Sequence, residues 1–133
     1  MITVLSKFEA RNYVSKKKNA SVIRISSIYP LIKLKDCFKN EIKFYFDDII
    51  EDKDSEKLIT KKEAEEILIF VKENYTEDSE LVIHCDYGKG RSPGVAEAIS
   101  IILRKDFDKT KFKDINYYVS KKILEVNREK RIL

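Results

Sequence analysis

Nine consecutive residues, His84-Cys85-Asp86-Tyr87-Gly88-Lys89-Gly90-Arg91-Ser92, put a thiol, a guanidinium and a hydroxyl into one short stretch of chain. The chemistry such a set can do is covalent transfer of a phosphoryl group. That reaction needs a nucleophile ionised near neutral pH, a pocket for three equatorial oxygens and a proton donor for the leaving oxygen. The first two needs can be met within these residues. Cys85 follows an apolar run and precedes a helical pattern, a place where a thiolate is stabilised. Five residues separate it from Arg91, a turn long enough to fold the guanidinium back toward the sulfur. The planar fork of Arg makes two parallel hydrogen bonds to a phosphate, which Lys cannot do. Gly88 and Gly90 permit backbone conformations that let successive N–H groups converge. Asp86, Tyr87, Gly88, Lys89, Gly90 and Arg91 are therefore the candidate phosphate cradle. Ser92 can hydrogen-bond Cys85 and ease its departure from phosphocysteine. His84 precedes the nucleophile, so its side chain should point away from the pocket and fix the loop backbone rather than carry a proton.

The elements that must position this stretch are a strand before it and a helix after it. Residues 81–84 are a short apolar strand, and from about Arg91 the apolar residues Val95, Ala98, Ile99, Ile102 and Leu103 recur at helical spacing. Strand, glycine turn and helix in that order set a nest of N–H groups at the positive end of a helix, which binds anions. Upstream, residues 2–5, 21–25 and 42–46 read as strands rich in β-branched or aromatic residues, with a short helix over 8–14. Pro30 interrupts the chain after the second strand. Thr60 with Glu63 makes a capping box, and Ala64, Ile67, Leu68 and Val71 continue it as an amphipathic helix to about Lys72. Residues 111–128 supply one or two closing helices, with Ile115, Tyr118, Ile123 and Val126 inward. Strands alternating with helices predict an α/β sheet flanked by helices, in one domain over residues 1–133.

Composition narrows the function classes. A chain of 133 residues can bury a core without a staple, and its two cysteines, Cys37 and Cys85, form no disulfide or zinc spacing. No metal or cofactor is expected. There is no signal-peptide pattern and no apolar run of membrane-span length, so a cytoplasmic location is expected. The net charge of +4 is uneven, at +7 over residues 1–35, −8 over 36–80 and +5 over 81–133. Such asymmetry can steer anionic substrates. Lys16-Lys17-Lys18 reads as a solvated turn, with attraction of phosphate or nucleic acid as the other reading. A nucleotide-binding loop is excluded, since Lys89 is followed by Gly90 and not by Ser or Thr.

Residues 84–92 resemble the His-Cys, five residues, Arg-Ser/Thr signature of the protein tyrosine and dual-specificity phosphatase superfamily, and the compact length is similar to its smaller dual-specificity-like members. The resemblance implies a central mixed β-sheet flanked by helices, a cysteinyl-phosphate intermediate and no metal requirement. It also implies a general-acid Asp on a loop after an earlier strand. Asp48, 37 residues before Cys85, is the first choice; Asp47 is the alternative, then Asp52 or Asp54. Lys89 resembles a lysine of phosphoinositide-directed members, but Asp86 works against that reading and is expected to pair with Lys89. The implied partner is a phosphorylated protein or peptide carrying phosphotyrosine, and phosphoserine or phosphothreonine if the pocket is shallow. Other readings are a catalytically weak phosphate-binding module, a phosphoinositide phosphatase and an RNA 5′-triphosphatase. Cys37 is expected to be structural, the alternative being a resolving thiol for oxidised Cys85.

Overall fold

The structure, a computed structural model, describes residues 1–36, 38–49 and 57–133. Strands β1 (Ile2–Ser6), β2 (Ala20–Ser26), β3 (Asn40–Tyr45) and β4 (Glu80–Cys85) form one sheet in the order β1-β4-β2-β3. All three strand pairings are parallel. The expected mixed sheet is thus corrected to a parallel one. The reason lies in the connections: α1 (Lys7–Asn12) lies between β1 and β2, and α2 (Lys61–Asn74) lies between β3 and β4. Each returns the chain to the end of the sheet from which it started, as parallel pairing requires. Helices α3 (Arg91–Leu103) and α4 (Tyr117–Lys130) follow β4, with a single 3₁₀ turn at Lys109–Lys111 between them.

Strand alternation divides the sheet into two faces. Ile23, Ile25, Phe44, Leu81, Ile83 and Cys85 join the core built with α2, α3 and α4. Leu5, Val22 and Val82 face the other way and pack with Ala10 of α1. Helix α2 starts where the capping box sets it, with Thr60 accepting from Glu63 N–H and Glu63 accepting from Thr60 N–H. Ser6 and Glu9 start α1 in the same way. Of the four residues expected inward near the C-terminus, Ile115, Ile123 and Val126 are buried and Tyr118 is partly so.

The strand order decides where chemistry can occur. β1 leads into α1 on one face, and its neighbour β4 leads into α3 on the other. Such divergence opens a crevice beyond the carboxyl ends of the strands. Cys85, Ser26 and Ser6 are the last residues of three adjacent strands, and Asp48 follows the fourth. Among the described residues no helix is long and apolar enough to cross a membrane.

Candidate active site

Cys85 closes β4 and is 2% exposed. Its sulfur accepts a hydrogen bond from the Gly88 N–H at 3.2 Å and shares one with Ser92 Oγ at 3.1 Å. The loop therefore curls round the thiol. Gly88 makes this possible by adopting φ +70°, in the left-handed region, with its α-carbon against the β1 backbone. A Cβ there would stand 2.6 Å from Ser6 N and 2.9 Å from Leu5 C. Gly88→Ala is accordingly expected to lower unfolding free energy by roughly 2 to 4 kcal/mol, the sum of left-handed strain and overpacking against backbone. A urea titration checks this, and an unchanged midpoint would show that the loop can reform elsewhere.

Helix α3 begins directly beyond the cradle. Ser6, Thr60, Asp108 and Asn116 each accept a hydrogen bond from the first turn of the helix they precede, but α3 starts at Gly90 with no side-chain cap. Its leading N–H groups remain available to an anion. Pro93 in that first turn gives up a donor that a helix does not use there.

Arg91 is 3% exposed and held on three sides. Nη1 donates to Ser27 Oγ and to the Phe46 carbonyl, each at 2.8 Å, and Nη2 donates to Asp86 Oδ2 at 2.9 Å. Nε is buried and without a partner, a donor that a phosphate oxygen would satisfy. The expected pairing of Asp86 with Lys89 is corrected: Asp86 pairs with Arg91. Ser26 Oγ at 2.6 Å and Ser27 N–H at 3.2 Å complete its contacts. Burial works to raise the Asp86 pKa, but the hydrogen bonds from Ser26, Ser27 and Arg91, with the Arg91 charge, outweigh it and hold the carboxyl below its usual range. Asp86 is thus an ionised brace that fixes the guanidinium. Lys89 is exposed, and Tyr87 stands 69% exposed beside it.

The two candidate acids separate clearly. Asp48 lies against the cradle: a Cβ on Gly90 would meet its Oδ2 at 2.5 Å. Asn116 Nδ2 donates to Asp48 Oδ1 at 2.8 Å and to the Ile49 carbonyl at 3.0 Å. Asp47 instead meets Lys57, donating its backbone N–H to the Lys57 carbonyl at 2.7 Å and accepting from the Lys57 N–H at 2.8 Å through Oδ2. Asp52, Asp54 and Cys37 lie outside the described residues.

Three contributors escaped the sequence reading. Asn116, fully buried, caps α4 through Val119 N–H, donates its own N–H to the Gly90 carbonyl and holds Asp48. The signal present was its cap position before an apolar helix, which says nothing of Asp48. Ser26 and Ser27, at the end of β2, could have been suspected only once the sheet was known to be parallel. His84 lies on the α1 face, away from Cys85, where its Nε2 accepts from Arg24 Nε at 3.1 Å. Burial first, and then the Arg24 charge, push its pKa down to about 4.

Clefts of about 350 and 510 Å³ run along β1 and include neither Cys85 nor Arg91. Among the described residues no group of three or more His, Cys, Asp or Glu side chains is placed to hold a metal ion. No protein-family model, curated protein or solved structure matches the chain.

Proposed function

We propose that the chain is a cysteine-dependent phosphomonoester hydrolase of the protein tyrosine phosphatase type, acting through a phosphocysteine at Cys85. The observation that carries this reading is the cradle itself: Gly88 N–H and Ser92 Oγ on the Cys85 sulfur, an uncapped helix start, and a braced Arg91 with an unpartnered Nε. These donors are fixed before substrate arrives, which is how charge on a transferring phosphoryl group is stabilised at low reorganisation cost.

The steps follow from the atoms in place. The Cys85 thiolate attacks phosphorus, and the bond to the leaving oxygen breaks as Asp48, in its protonated form, delivers a proton to that oxygen. The sulfur–phosphorus bond of the intermediate then yields to water, with the Asp48 carboxylate accepting the water proton. Ser92 donates to the sulfur as it departs, and inorganic phosphate is released. Arg91 and the loop N–H groups hold the three equatorial oxygens in both steps.

A singly phosphorylated protein or peptide is the proposed substrate, phosphotyrosine first and phosphoserine or phosphothreonine next. The Asp86 carboxylate at the cradle supports this over a multiply phosphorylated inositol lipid, since it offsets part of the Arg91 charge. The thiol requires a reducing compartment, which favours the cytoplasm.

Rapid acid quench of the enzyme with a ³²P-labelled aryl phosphate is expected to trap label on the peptide containing Cys85. A chain that binds the phosphate analogue yet gives neither label nor turnover would instead be a phosphate-binding module.

A further inference from the structure

We infer that Arg24 fixes the state of His84, the residue that precedes Cys85: its Nε–H holds the imidazole neutral with its proton on Nδ1, so the side chain next to the nucleophile in sequence stays uncharged. The inference deepens the proposed role of Cys85 and draws its functional consequence from that reading. The tautomer itself stands on geometry alone.

Arg24 of β2 is directly opposite His84 of β4 in the parallel register, and both side chains lie on the α1 face. Arg24 is 5% exposed, and each end of its guanidinium is occupied. Nε donates to His84 Nε2 at 3.1 Å, Nη1 donates to Glu41 Oε1 at 3.1 Å, and Nη2 donates to the Ile32 carbonyl. A guanidinium nitrogen is always a donor, so Nε2 presents its lone pair and a neutral ring carries its proton on Nδ1, a buried atom with no hydrogen-bond partner of its own. A second proton on Nε2 would set N–H against N–H, both cationic, in a buried place.

The charged groups around the ring come from every element packed on it. Arg24 from β2 disfavours protonation; Glu41 from β3 and Asp86 from the cradle favour it. Lys7 of α1 lines the same cleft, with Ile28, Pro30, Leu31 and Ile32 as its apolar wall. Burial and Arg24 prevail over the anions. A histidine next to a reactive cysteine would ordinarily change charge across neutral pH and alter thiolate stability with it. Here the buried Arg24 is the cation beside the ring, with Glu41 of the edge strand as its counter-ion.

The chain has one histidine, so protein labelled with ¹⁵N-histidine reports a single imidazole. Between about pH 8 and about pH 5 the wild-type ring is expected to give the neutral pattern with its proton on Nδ1, titrating only toward about 4. Arg24→Gln removes the charge and keeps a donor. It is expected to raise the His84 midpoint by at least about one pH unit and to add an inflection at that midpoint to the pH profile of Cys85 alkylation by iodoacetamide. Arg24→Lys, which keeps the charge, should hold the midpoint low. A wild-type ring protonated on Nε2, or titrating near 6.5, overturns the inference, as does an Arg24→Gln protein with the wild-type midpoint and alkylation profile. Should that variant not fold, the wild-type tautomer still decides. Absence of phosphatase turnover would defeat the proposed function and leave the tautomer result untouched, so the two failures are distinguishable.

Discussion

Cys85→Ser is expected to lower hydrolysis of an aryl phosphate by about 10⁴-fold or more while leaving the urea midpoint and tungstate binding close to those of the wild type. The expectation of an intact cradle rests on contacts. Serine Oγ can accept from the Gly88 N–H and share a hydrogen bond with Ser92, the two partners that the sulfur now has. Arg91 keeps Asp86, Ser27 and the Phe46 carbonyl, none of which involves residue 85. What is lost is the proposed nucleophile: an alcohol at this position stays protonated near neutral pH, and among the described residues no base hydrogen-bonds to it to take the proton. His84 cannot serve, since it faces α1 with Nε2 already accepting from Arg24. Turnover within tenfold of the wild type would remove Cys85 from the mechanism. Loss of stability together with activity would mark the sulfur as a packing atom in the core.

The loop between β4 and α3 was legible as a turn because its information is local. Cys85, Gly88, Gly90, Arg91 and Ser92 sit within one turn of chain, and glycine, helix start and strand end are each readable from neighbours. The same holds for Thr60 and Glu63, whose capping box needs only four residues. Sheet direction is different. Periodicity marks residues 2–5, 21–25 and 42–46 as strands, but whether they run together depends on where each connection returns, which no short window contains. The family-derived expectation of a mixed sheet failed at that level, and with it went any view of Ser26 and Ser27 as partners of Asp86 and Arg91.

The misassigned partner of Asp86 shows a second limit. Asp86 and Lys89 are three residues apart, which makes a pair plausible in a regular helix. In this loop the chain curls round the sulfur, and the carboxylate meets Arg91 and the end of β2 instead. The consequence is functional: a guanidinium fixed by three acceptors spends little entropy on meeting a phosphate, and its charge is partly offset before the ligand arrives. Long-range pairs such as Arg24 with His84 and Asn116 with Asp48 span 60 and 68 residues. They exist only because parallel strands and a closing helix bring those positions together.

Asp48→Asn is expected to cut turnover of an alkyl phosphate, a poor leaving group, by about 10²- to 10⁴-fold. An aryl phosphate with an acidic phenol should lose much less, because its leaving oxygen departs with little help from a proton. The Asp48 amide replacement is nearly isosteric, and its Oδ1 can still accept from Asn116 Nδ2, so the loop should stay beside Gly90. Binding of tungstate should therefore survive, which separates loss of a proton donor from loss of the cradle. Asp47→Asn provides the contrast: its Oδ1 can go on accepting from the Lys57 N–H, and neither substrate should lose more than a few-fold in turnover. The comparison tests position as much as chemistry. Asp47 and Asp48 differ by one place in sequence, yet the Asp48 carboxylate rests against the cradle and the Asp47 carboxylate meets the Lys57 N–H. An Asp48→Asn protein with an unchanged ratio of alkyl to aryl turnover would shift the acid to another group, and the pairing of Asp48 with Asn116 would then be a strut that holds α4 to the loop after β3.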